Sequence, residues 1–226
     1  MPHCGGEKPA RFLVKPAFGF FFVFLCACAS AQVDQPDHKN QLTGMFGRMF
    51  ISDQGIRGAT FFNPYVRSGE GFAFEVNYSR WLLGNLAYSL SAEVPLVFNP
   101  DEDLGSGANV VPTGYSQIFL APSARLNLFP ETRVSPWVSF GGGFAHFSED
   151  RNLLYGGANP GGSSTSGVLQ GGFGLDARPF HRRFSRFAFR GEVRDFWSGT
   201  PELPLAPTGK ARQHNYFVSV GVVWHF

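Results

Sequence analysis

Apolar and polar residues alternate with a period of two through most of residues 43–226. Successive side chains of a strand point to opposite faces, so this pattern predicts strands with one apolar and one mixed face. The last stretch shows it most plainly: Tyr216, Val218, Val220, Val222, Trp224 and Phe226 form an unbroken apolar alternate. Between them Asn215, Phe217, Ser219, Gly221, Val223 and His225 are small or polar at most positions. Seven earlier segments are expected over 43–51, 71–82, 86–98, 114–129, 134–147, 167–180 and 186–197. In the second, Phe72, Phe74, Val76 and Tyr78 oppose Ala73, Glu75, Asn77 and Ser79. In the seventh, Phe187, Phe189, Val193 and Trp197 oppose Ala188, Arg190, Glu192 and Arg194.

The connections alternate in length. Long, Gly- and Pro-containing stretches follow the first, third, fifth and seventh segments, and short turns near 83–85, 130–133 and 181–183 join the rest. Strands of soluble sheets average about 5–6 residues; these are longer and match the roughly 9–11 that cross a bilayer. An even number of strands with short turns at one end and longer loops at the other is the plan of a membrane barrel. Closing such a sheet on itself pairs every backbone group and gives both faces a suitable neighbour, lipid outside and polar groups inside. The fold class expected is all-β, an eight-stranded antiparallel up-and-down transmembrane β-barrel. A lipocalin-type soluble barrel, with the faces inverted, is the alternative.

The terminal strand adds a resemblance. Its apolar alternates ending on Phe226 resemble the final strand of bacterial outer-membrane barrels, and the pattern over 42–226 resembles small eight-stranded proteins of the OmpA-like and OmpW-like superfamily. The resemblance implies that Tyr216, Val218, Val220, Val222, Trp224 and Phe226 form the signal read by the barrel-assembly machinery. It also implies outer-membrane lipid and lipopolysaccharide as surroundings.

Composition sharpens the picture. Charged residues make up only 16% and aromatics 16% of the chain, against about 25% charged in an average soluble domain. Residues 1–31 carry Lys8, Arg11 and Lys15, an apolar core from Phe18 to Leu25, and Ala29-Ser30-Ala31 as a small-x-small cleavage pattern. They are expected to be a secretory signal peptide, followed by a short periplasmic lead-in over 32–41. The apolar core is too short to span a bilayer. Lipidation at Cys28 within Leu25-Cys26-Ala27-Cys28 is the alternative processing. Setting residues 1–31 aside reduces 19 basic and 17 acidic residues to 16 of each, which argues against a nucleic-acid partner. Cys4, Cys26 and Cys28 all fall in that segment, so a mature chain would have no disulfide and no Cys-based metal site. The histidines are scattered, and no metal or cofactor is expected.

Candidate chemistry lies mainly on the inner alternates. Glu75, Glu93, Arg125, Asp176, Arg178, Arg190, Glu192 and Arg194 are expected to point into the lumen. Eight strands enclose an interior just wide enough for side chains to fill, and unpaired buried charge is costly. Arg–carboxylate pairs closing the lumen are therefore the leading expectation, and a gate that opens by partner exchange is the second. Trp81, Trp137 and Trp224 are expected at the short-turn interface and Trp197 at the long-loop interface, as parts of aromatic girdles. His146 and Ser148 share a face near the end of the fifth segment, as the His and Ser of a PagL-type lipid-A deacylase do, and a Ser–His pair can supply a nucleophile and base. The match lacks the orienting Glu, since no acidic residue lies between Asp150 and Asp176. A solvated rim accounts for these residues more simply. His181-Arg182-Arg183 reads as a solvated turn, and Gly141-Gly142-Gly143 as a strand feature, because no phosphate-loop Lys-Ser/Thr follows it. The expected role is structural or interactional, with a narrow gated pore and a lipid-modifying enzyme as alternatives.

Overall fold

The structure, a computed structural model, describes residues 38–58, 60, 64–178 and 186–226. The expected signal peptide with its three cysteines, residues 32–37 of the lead-in and the His181-Arg182-Arg183 turn lie outside the described residues. The strands are β1 (Asn40–Ile51), β2 (Gln54–Gly55), β3 (Tyr65–Ser68), β4 (Glu70–Gly84), β5 (Tyr88–Gly105), β6 (Gly114–Leu120), β7 (Ser123–Leu128), β8 (Val134–Glu149), β9 (Ser163–Ala177), β10 (Phe187–Gly199) and β11 (Arg212–His225).

Eight spans close into a ring. β1 pairs β4, β4 pairs β5, β5 pairs β6 and β7, these pair β8, and β8, β9, β10 and β11 follow in order before β11 returns to β1, all antiparallel. The β1–β11 seam runs from Gln41 opposite His225 to Ile51 opposite Asn215. Asn40 and Phe226 finish it by exchanging backbone hydrogen bonds of 3.0 and 2.9 Å. Closure removes the sheet edges that would otherwise present unpaired N–H and C=O groups.

The fourth expected strand is one span in two pieces. Pro122 has no N–H to give the ladder, and β6 and β7 part at Ala121-Pro122. Two residues separate them, so the inner alternate is preserved: Gln117 and Phe119 before the break, Ser123 and Arg125 after it, are all buried. β5 runs seven residues past the expected Phe98. A bulge between Asn99 and Glu102 shifts its register and turns Glu102 and Leu104 inward, while Asp101 and Asp103 face out. The small strands β2 and β3 form in the connection between β1 and β4 and dock onto β5.

Every span presents apolar side chains outward. Phe74 and Val76 on β4, Phe140 on β8, Phe173 on β9, Phe189 on β10 and Val220 on β11 are about half exposed or more. A soluble monomer exposes no such continuous apolar girdle, and the polar alternates are buried, so the inverted lipocalin-type arrangement is overturned.

The interior has two layers. From the short-turn end to mid-height it is polar and charged. Above that, Met49, Ala73, Val97, Phe119, Phe147, Val168, Phe196 and Phe217 fill the lumen, and Val66, Leu104, Val111, Leu203 and Ala206 pack against them. Phe119 stacks on Phe196 at 4.8 Å between ring centroids and meets Phe147 edge-on at 6.2 Å. The polar interior expected from the inner alternates therefore occupies only part of the barrel height.

Candidate functional site: the interior ion-pair cluster

Alternation along β10 places Arg190, Glu192 and Arg194 on one inner face, and neighbouring strands supply their partners. Arg190 binds Asp176 of β9 through two hydrogen bonds of 2.7 Å, from Nε and Nη2. Arg194 donates to Glu192 at 2.7 and 3.3 Å and to Glu93 of β5 at 2.8 Å. Its Nε also lies 3.4 Å from Glu75 of β4. Arg125 of β7 sits 3.4 Å from Glu93 and donates to Gln41 and Ser79 at 2.6 and 3.3 Å. Asn77 and Ser123 complete the donors to Glu93 at 3.2 and 3.1 Å.

The side chains of Arg125, Arg194, Glu75, Glu93 and Glu192 have no solvent-accessible surface, and Arg190 with Asp176 has almost none. Away from water each charge loses several kcal/mol of hydration, which only close, well-aligned opposite charges recover. Charge-assisted and bidentate bonds of this kind are about twice as strong as neutral ones.

Seven of the eight ionisable residues expected inside thus share one cluster. Arg178 does not join it. The residue follows the end of β9, is half buried, and donates to the carbonyl of Pro130 in the β7–β8 turn at 2.7 Å. It fastens a turn at the barrel rim, because one residue beyond the last paired rung its long side chain reaches sideways to an open carbonyl.

Trp137 departs further from expectation. It is not an interfacial girdle residue but a buried inner one, 2% exposed. Its ring lies under three guanidinium groups, with Arg125, Arg190 and Arg194 at 5.6, 5.1 and 5.3 Å from it, and its indole N–H donates to Asp176 at 3.2 Å. The ring face attracts cations, so one neutral side chain lowers the mutual repulsion of three arginines. Its parity with Ser135 and Ser139 on β8 was the available signal. Trp197 and Trp224 do face outward, 39% and 41% exposed.

His146 and Ser148 lie at the long-loop end of β8. His146 Nδ1 pairs with Thr165 Oγ1 at 2.8 Å, and its cross-strand neighbour is Thr165 while that of Ser148 is Ser163. No His146–Ser148 hydrogen bond occurs among the described residues. Nor does any group of three or more His, Cys, Asp or Glu side chains among them form a metal site.

The outer alternates of β11 carry the expected assembly residues, Tyr216, Val218, Val220, Val222, Trp224 and Phe226, all exposed. Towards the loops the same face holds a feature that was not expected. Trp197, His214 and Tyr216 stack in a ladder with centroids 6.2 and 5.7 Å apart. Arg212 lies 4.6 Å over Trp197, and His214 Nδ1 contacts Asp195 at 2.7 Å. Asp195 interrupts the outer alternate Phe187, Phe189, Val193, Trp197, the one signal that could have found it.

No protein-family model matches the chain, and no curated protein matches its sequence. Solved structures do resemble it. Neisserial surface protein A aligns at 14% identity over 83% of this chain and 97% of its own, with a TM-score of 0.50. The outer membrane protein OprG from Pseudomonas aeruginosa aligns at 12% identity over 84% and 96%, with a TM-score of 0.51. The fold is that of small eight-stranded outer-membrane β-barrels.

Proposed function

We propose that the protein is an outer-membrane barrel with a structural and interactional role, in which the charged cluster closes the lumen and the long loops present a surface outside the cell. The observation that carries this reading is the complete burial of the Arg125, Arg194, Glu75 and Glu93 side chains across the lumen from four different spans. Unpairing any of them to open a water path would leave a charge stranded in a poorly hydrated interior. The aromatic layer above adds a second obstruction. Residues 1–31 would direct export, and lipid, lipopolysaccharide and the assembly machinery would be the barrel's surroundings and helper.

Purified barrel in planar bilayers tests the closed lumen: no conductance steps are expected, and regular steps would replace this reading with a gated pore. Fractionation with outer membranes, together with a gel shift on boiling, is expected for the location. A soluble protein without the shift would remove it. Acyl release from lipopolysaccharide that disappears in Ser148→Ala would favour the enzyme reading instead.

A further inference from the structure

The charges of the interior cluster do not balance. Three guanidinium groups, Arg125, Arg190 and Arg194, face four carboxyl groups, Glu75, Glu93, Asp176 and Glu192. Geometry assigns the pairs. Arg190 is taken by Asp176 in a bidentate bond, Arg194 by Glu192 in another, and Arg125 by Glu93. Glu75 is the fourth carboxyl. Its one cationic neighbour is Arg194 at 3.4 Å, already engaged at shorter distance by Glu192 and Glu93. Among the described residues neither oxygen of Glu75 has a hydrogen-bond partner, although both are buried. Glu75 Oε2 and Glu192 Oε1 converge on the same Arg194 Nε, at 3.4 and 2.7 Å, where two carboxylates would repel and a carboxylic acid would donate to a carboxylate.

We infer that Glu75 and Glu192 form a buried proton-binding site, in which a single proton is held between the two carboxyl groups beside Arg194. With that proton the cluster is three positive against three negative, and the unpartnered Glu75 oxygen becomes a donor. Two carboxyl groups in one site commonly ionise one at a time. The cluster's other charged groups are Glu93 on β5, Arg125 on β7 and Arg190 on β10, with Asp176 on β9. At the turn end His225 on β11 is a further titratable inner residue, its Nδ1 3.2 Å from the Arg186 carbonyl. On β4 itself the adjacent inner residue, Asn77, is neutral and is spent on Glu93. The inference rests on the closed lumen proposed above, since bulk water would hydrate an ionised Glu75 and a hydrated cation would balance its charge.

Infrared difference spectroscopy of the folded barrel, with 13C-carboxyl glutamate to assign the band, tests this directly. A neutral carboxyl has a C=O stretch that carboxylates lack. The expected result at neutral pH is a band equivalent to one carboxyl per chain that is lost in Glu75→Gln. It is also expected to vanish in Glu192→Gln, where Glu75 remains but inherits Arg194 and ionises. Absence of a Glu75-dependent band, or its survival in Glu192→Gln, overturns the shared proton. A stability that instead depends on the identity of the alkali cation, with no such band, also overturns it. Transfer to D2O separates the two readings: a band that shifts at once in a conducting barrel keeps the proton site and removes the closed lumen. A missing band in a non-conducting barrel does the reverse.

Discussion

Arg190 and Asp176 stand directly opposite one another on β10 and β9, and the guanidinium closes on the carboxylate through two parallel bonds of 2.7 Å. Removing one partner of such a buried pair leaves the other charged and uncompensated, at a typical cost of about 3–5 kcal/mol. Arg190→Ala is expected to lower the unfolding free energy of the barrel in detergent by about that much, read as a fall in its melting temperature. The double variant Arg190→Met with Asp176→Leu should recover most of the loss, because hydrophobic replacement of both partners is often neutral. A double variant no better than the single one would show that the loss does not come from the stranded carboxylate.

Trp137 predicts a spectroscopic division among the tryptophans. With Trp81, Trp197 and Trp224 replaced by Phe, the remaining Trp137 emission should resist quenching by both aqueous iodide and brominated acyl chains. A barrel retaining only Trp224 should be quenched by the brominated lipid. Trp137→Phe loses the indole donor to Asp176 and weakens the attraction for three arginines, for a combined cost of about 1–3 kcal/mol. Equal lipid quenching of Trp137 and Trp224 would place the ring on the wrong face.

Glu102 gives a pH dependence. It lies beyond Phe98, the last residue of the lipid-facing alternate of β5, at a level where Asp101 and Asp103 face outward. Its Oε2 accepts from Asn99 Nδ2 at 2.8 Å and from the Gly71 amide at 3.1 Å. Burial, helped by Asp101 and Asp103 and opposed by these donors, pushes its carboxyl from the ordinary 4.5 up to about 7. The folded form therefore holds the proton more tightly than the unfolded form. Its contribution to stability is fully present below the unfolded value and is lost as pH rises towards about 7. Stability of the loop end, followed by amide exchange at Gly71, should fall between pH 4.5 and about 7 and then level off. Glu102→Gln should flatten that profile; an unchanged slope would assign it to another group.

The seam supplies a paired test. A Cβ at Gly221 would run into the carbonyl oxygen of Gly44 and the Met45 sulfur, whereas one at Gly44 meets nothing within 4 Å. Gly221→Ala should cost about 1–3 kcal/mol through overpacking and reduce the fraction of barrel that stays compact on an unboiled gel. Gly44→Ala should not. Similar behaviour of the two variants would mean that β1 and β11 adjust freely.

The spans and their facing were legible in the sequence because a period of two survives even the Pro122 break, which inserts an even number of residues. The ionisable inner set was legible for the same reason: Glu75, Glu93, Arg125 and the β10 triplet all sit on the alternate opposite a lipid-facing one. Alternation assigns each residue a face but says nothing about height. Phe119, Phe147, Phe196 and Phe217 lie on the inner alternate, and only the tertiary fold reveals that their half of the lumen is packed with loop side chains. Trp137 was misread by weighing the residue type over its parity. The extension of β5 was hidden by the bulge after Asn99, which breaks the alternation that would have announced it.

Arg194 has a mechanical consequence. Each span is tied to its neighbours around the circumference, but this side chain on β10 also reaches Glu93 on β5 and Glu75 on β4, crossing the lumen past the β1–β11 seam like a spoke. Under a pulling force, barrel spans held only by their rims leave pairwise as hairpins. Here the hairpin that contains β10 cannot be extracted without first breaking its hold on the far wall. That interior hold adds to the ladder hydrogen bonds of the wall, and Arg125 on β7 adds another by reaching Gln41 on β1 and Ser79 on β4.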